Sequence, residues 1–139
     1  TSGITALIGK REGRPIFALG LPGAHRIPAC AMQAVLNLVD HGMSVQEAVE
    51  APRVFTWGQE AEVELGMAEP VRRTLAGLGH RVAPSDHVAG GMCAIAFAED
   101  GAMTGAACWR ADGVPMGVGG GAARAGTSFW PDPRRGRSY

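Results

Sequence analysis

The chain is 139 residues long, 46% hydrophobic but only 6% aromatic, and its 13 basic and 13 acidic side chains cancel to a formal net charge of zero. That size suits one globular domain with its own core, and the lack of a charge excess argues against a polynucleotide or an anionic membrane surface as partner. No apolar run approaches the ~20 residues of a membrane span, and Cys30, Cys93 and Cys108 fall into no metal-ligand spacing; neither nucleic acid, membrane, metal nor any other cofactor is expected.

In chain order, Ile4 to Ile8 and Ile16 to Leu19 are short apolar runs around a charged, Gly-containing connection, the pattern of a β-hairpin. The turn Gly20-Leu21-Pro22-Gly23-Ala24-His25-Arg26 follows, and then apolar residues at 27, 30, 31, 34, 35 and 38 fit one helix face, with Pro28 in the first turn and Gly42 at the stop. Ser44 and Glu47 stand at capping-box spacing and start a second helix that must end before Pro52. Two short strands are expected at Val54 to Trp57 and Glu62 to Leu65; the alternation of Glu62 and Glu64 with Val63 and Leu65 predicts one solvated face. Pro70 opens a third helix with Val71, Leu75 and Leu78 on one face and Gly79 at its end, followed by a Gly-rich loop through Gly90-Gly91. Met92 to Ala98 and Ala102 to Cys108 flank Asp100-Gly101, which reads as a two-residue hairpin turn that sets Cys93 opposite Cys108, most simply as two small buried thiols. From Ala111 the composition shifts to Gly, Arg, Pro and Ser, predicting a flexible tail over 111–139. The order describes a single α+β layered domain on largely antiparallel sheet.

Two places can carry chemistry. In the stretch Ile16 to Ile27 a strand runs through Gly23-Ala24-His25 straight into a helix, so free N–H groups converge where the helix dipole is positive and can hold a phosphate, a carboxylate or an oxyanion. The same spacing also serves a plain strand-to-helix turn whose Gly is needed only for its dihedral angles. Thr1, if its α-amino group is free, carries its own general base for the hydroxyl; otherwise it marks only where the chain begins. The four histidines (His25, His41, His80 and His87) fit no zinc spacing and read as surface or loop residues, as Arg72-Arg73 read as solvated charge.

The run Gly13 to Ile27, with its Leu21-Pro22-Gly23-Ala24-His25-Arg26-Ile27 core, resembles the Ser-Pro-Gly-Gly-Ser-Arg-Ile turn of gamma-glutamyltransferases. Val35 to Met43, Gln46 to Arg53 and Leu75 to Val82 keep that family's order, so the likeness covers roughly residues 4–110. The resemblance implies the four-layer αββα sandwich of N-terminal-nucleophile hydrolases, a precursor that cleaves itself, and a threonine that forms an acyl-enzyme on γ-glutamyl or related small amides such as glutathione. It makes residues 1–110 the C-terminal portion of the small subunit, with the large-subunit or upstream part of the same precursor as partner. It places the oxyanion amides on Gly23 and Ala24 and the substrate pocket on Ser2 and Pro22. Ala24 in place of the second Gly keeps the N–H but disfavours positive φ, implying a narrower turn. For Thr1 the resemblance leaves two roles open: the nucleophile itself, or with Ser2 the pair that binds the substrate carboxylate, the nucleophile then lying upstream. A fold that kept the turn but lacked a nucleophile would be a binding or scaffold module. Where the family runs from its last strand into Asp-Pro-Arg, this chain has Cys108-Trp109-Arg110, a departure implying a divergent branch with its own acyl donor.

Overall fold

The computed structural model describes residues 3–117. Strands β1 (Ile4–Arg11) and β2 (Arg14–Pro22) form the first hairpin, and a 3-10 turn (Ala24–Arg26) runs into α1 (Ile27–Val39). Then come α2 (Val45–Glu50), β3 (Val54–Thr56), β4 (Ala61–Glu64), α3 (Glu69–Gly77), β5 (Val82–Ser85), β6 (Cys93–Phe97), β7 (Met103–Ala107) and a last 3-10 turn (Trp109–Ala111). The main sheet is antiparallel with strand order β1-β2-β6-β7, and a second sheet, β3-β4-β5, pairs β4 with β5 in parallel across the α3 connection.

The first hairpin closes on Glu12-Gly13, both at positive φ (51° and 79°), the two-residue turn whose twist matches the strands it joins. Period-2 alternation then puts Phe17, Leu19 and Leu21 of β2 into the core against Ile27, Cys30, Ala31 and Ala34 of α1 and Val45 and Val49 of α2. Helix α2 is held by the predicted capping box: the Glu47 N–H donates to Ser44 Oγ (3.3 Å) and the Ser44 N–H donates to the Glu47 carboxylate (2.8 Å). Gln33 of α1 clamps the edge of the second sheet, donating to the Val54 carbonyl (2.7 Å) and accepting from the Val54 N–H (2.9 Å).

The opposite face of the main sheet carries Ile8, Ile95 and Met103, which are 61%, 41% and 69% exposed. A sheet that is apolar on both sides is built to be covered on both, as in a multilayer sandwich.

Several expectations need correction. The β6–β7 loop holds three residues, Glu99-Asp100-Gly101: Phe97 pairs with Met103, and Gly101 takes φ 86°. The register therefore moves by one, Cys93 pairs with Ala107, and Cys93 is exposed while Cys108 is buried, so no disulfide joins them and all three cysteines are free. The predicted wet face of β4 is half wrong, because Glu62 is half-buried but Glu64 is fully buried. Residues 82–85, which fall in the stretch expected to lead from the third helix into the Gly-rich loop, form a strand because β4 offers them a parallel edge. The apolar face of α3 stays open, with Val71 45% and Leu78 72% exposed. Of the segment assigned to the tail, residues 111–117 run beside β7, with Pro115 close enough to Gly105 that a Cβ there would lie 2.9 Å away, and residues 118–139 lie outside the described residues.

Candidate active site

The strand-to-helix turn is where the described residues converge. β2 delivers Pro22; Gly23 turns at φ 145°, Ala24 follows at φ 51°, and Arg26 N–H closes the 3-10 turn on the Gly23 carbonyl (3.1 Å) before α1 begins. Neither the Gly23 nor the Ala24 N–H makes a hydrogen bond among the described residues. Ala24 thus takes the left-handed conformation that a glycine would take, at a cost of about 1–2 kcal/mol for an L side chain.

The turn is held from two sides. The Gly90 N–H donates to the Pro22 carbonyl (3.1 Å), and Ala89 sits so close that a Cβ on Gly23 would lie 2.8 Å from its methyl. From the other side, β1 pairs Ile4 with Pro22, and Gly3 lies against Ala24, 3.7 Å from its Cα to the position a Cβ would take. Thr1 and Ser2 lie outside the described residues; Gly3 brings the chain that follows them to the turn. Beside Gly23 opens a cavity of about 410 Å³ whose walls include Arg26, Glu62, Ser85 and His87. Arg26 and Glu62 form a half-exposed ion pair across it (2.6 Å), and the Arg26 guanidinium lies over the Phe55 ring (5.1 Å). Among the described residues no group of three His, Cys, Asp or Glu side chains is placed to hold a metal ion. No described helix is long and apolar enough to cross a membrane.

Behind the turn lies a buried polar cluster that residue spacing did not reveal. Glu64 Oε1 accepts from the Val88 N–H (2.7 Å) and Arg110 Nε (2.7 Å), and Oε2 accepts from the Arg53 N–H (2.9 Å) and Arg110 Nη2. Arg53 donates to the carbonyls of Val88 (3.3 Å), Gly90 (3.0 Å) and Val49 (3.2 Å). Arg110 donates to the carbonyls of Val49 (3.1 Å) and Ala51 (3.0 Å). Burial alone would raise the Glu64 pKa, but the Arg110 guanidinium and the Val88 and Arg53 amides outweigh it and hold the carboxyl below its usual range. The cluster therefore ties β4, the ends of α2 and β7, and the 88–90 loop into one unit that backs the turn. In the sequence Arg53 and Arg110 stand out only as the ends of the runs Gln46 to Arg53 and Cys108 to Arg110, with no role attached to either.

This mixed fold matches part of the fold of the N-terminal-nucleophile hydrolases. The chain belongs to the gamma-glutamyltranspeptidase family, whose model matches residues 1–118. It is 60% identical over 119 residues to the acylase ACY 1 proenzyme of Pseudomonas sp. (strain SE83), covering 86% of this chain and 21% of that protein. It is 29% identical over 119 residues to the glutathione hydrolase proenzyme of Bacillus subtilis (strain 168), covering 84% of this chain and 20% of that one. The structure superposes on the T380A mutant of Helicobacter pylori gamma-glutamyltranspeptidase with a TM-score of 0.71 at 28% identity, over 79% of this chain and 62% of that chain. The chain spans about a fifth of the length of these curated relatives.

Proposed function

We propose that this chain supplies the oxyanion-holding turn and part of the substrate pocket of an amide-bond hydrolase or acyltransferase that works through a threonine acyl-enzyme. The observation that carries the reading is the pair of unengaged amides at Gly23 and Ala24, held in a strained conformation next to an open cavity. In the reaction a Thr hydroxyl attacks the amide carbonyl, the two N–H groups take the negative charge on its oxygen, the amine leaves, and water or a second amine releases the acyl group. Thr1 is the nucleophile this chain itself offers; if an upstream Thr serves, Thr1 and Ser2 bind the substrate carboxylate. The Arg26–Glu62 pair lines the pocket, and Pro22 leads the chain into the turn at its edge. The remainder of the precursor is the partner, and the apolar outer face of the main sheet is the surface that meets it. The higher identity to an acylase than to a glutathione hydrolase favours a small acyl amide over glutathione as donor.

The test uses the full precursor assayed with a γ-glutamyl anilide and a panel of acyl amides. Ala24→Pro removes one N–H and cannot take φ 51°, so kcat should fall by about 10²–10³-fold, as loss of one oxyanion donor typically costs, while Ala24→Gly stays active. Unchanged kcat in Ala24→Pro removes these amides from the mechanism, and activity that survives Thr1→Ala moves the nucleophile upstream.

A further inference from the structure

The charges buried behind the turn do not balance. Arg53 and the Arg110 side chain are both sealed from solvent, and Glu64 is the carboxylate they share among the described residues. Arg53 itself reaches no carboxylate through its guanidinium: three of its bonds end on carbonyls, and the fourth ends on Cys108 Sγ at 3.7 Å. The same sulfur accepts the Met92 N–H at 3.1 Å. Two guanidinium ions against one carboxylate leave a buried positive charge, a state that is strongly destabilising unless an anion meets it.

The titratable groups that bear on Cys108 are Arg53 ahead of β3 and Arg110 after β7, while Glu64 of β4 and Cys30 of α1 bear on the same Arg53. Cys30 is no candidate anion, since burial drives its pKa up and its Sγ lies 4.0 Å from the Val88 carbonyl as a donor. At Cys108 burial also pushes upward, but the Met92 and Arg110 amides and the two guanidinium groups outweigh it and the thiol is held below its ordinary value.

We propose that Cys108 is a thiolate in the folded protein, the second anion of this cluster, and that through Arg53 and the Met92 amide it positions the 88–92 loop against the Pro22–Ala24 turn. The thiol proton passes to solvent on folding. Cys108 is a positioning residue: Arg53 holds the Val88 and Gly90 carbonyls, Gly90 N–H holds Pro22, and Ala89 abuts Gly23. Its effect on turnover rests on the oxyanion reading of that turn; its charge state does not.

Because the folded pKa lies below the unfolded one of about 8.5, the thiolate's contribution to stability is fully present above that value and is lost as pH falls through the folded pKa. The test compares the full precursor with Cys108→Ser and Cys108→Asp. The ultraviolet thiolate band in the difference between parent and Cys108→Ser should be present in the folded protein at about pH 7 and vanish on unfolding at the same pH. The destabilisation caused by Cys108→Ser should grow by at least about tenfold in the folding equilibrium from about pH 6 to about pH 9, and Cys108→Asp, which supplies a permanent anion, should be more stable than Cys108→Ser throughout that range. With the turn active, Ser should lower kcat at little-changed KM and Asp should restore it. A band that rises only at or above the ordinary thiol range overturns the proposal, as does an Asp variant that fails to fold where Ser folds. If Ser fails to fold, the proposal stands on a folded Asp variant with protected Gly90 and Met92 amides and falls if they exchange freely. A protein that shows the thiolate band but hydrolyses no amide sinks the amidase reading alone.

Discussion

Glu64→Gln is the sharpest perturbation of the buried cluster, because it conserves shape and removes only charge and acceptor capacity. Each Glu64 oxygen accepts from one backbone N–H and one Arg110 nitrogen: Val88 N and Arg110 Nε on one side, Arg53 N and Arg110 Nη2 on the other. Whichever way a glutamine amide is turned, its NH2 faces two donors, and Arg110 loses its carboxylate partner. Breaking a buried ion pair from one side costs about 3–5 kcal/mol, a large share of the ~5–15 kcal/mol that stabilises a typical domain. At about 1.4 kcal/mol per decade, hydrogen exchange at the Arg53 and Val88 amides should accelerate by roughly two to four orders of magnitude in the full precursor. Adding Arg110→Met removes the stranded cation, so the double variant should exchange more slowly than the sum of the two single changes predicts. Protection within about threefold of the parent at both amides would refute the view that this carboxylate anchors the loop behind the turn. The pH dependence has a defined sign: with its folded pKa below about 4.3, Glu64 contributes stability that is fully present above that value and is lost as pH falls through the folded pKa.

Two further outcomes follow from backbone geometry. Ala24→Gly relieves the left-handed strain at φ 51° and should stabilise the protein by about 0.5–1 kcal/mol after the entropy of the added glycine is subtracted, read from the urea midpoint; a destabilised variant would contradict the strained conformation. Gly23→Ala would push a methyl to 2.8 Å from Ala89 and should cut kcat by at least about tenfold, while Gly79→Ala, at φ 93° with nothing within 4 Å, should cost about 1 kcal/mol of stability with kcat unchanged; equal kcat in both variants would detach the turn from catalysis.

Local chemistry was legible along the chain wherever it is settled by neighbours in sequence. The Ser44–Glu47 capping box, the amphipathic α1 and the strand-to-helix turn at Pro22-Gly23-Ala24 all formed as read, because caps, helix periodicity and turns are decided within a few residues. The family likeness was legible for the same reason, since it rests on runs of adjacent residues. The β6–β7 register was not, because Asp100-Gly101 suits a three-residue loop as well as a two-residue one, and that single residue puts Cys93 and Cys108 on opposite sides of the sheet. Nor could spacing find that Glu64 is buried: its alternation with Val63 is that of a half-solvated strand, and only the arrival of Arg53 and Arg110, 11 and 46 residues away in sequence, makes its burial tolerable. The sequence by itself determined the elements and the turn that presents two amides; the tertiary structure alone decided which charges stand behind that turn, because the fate of a buried charge depends on partners that only folding brings within reach.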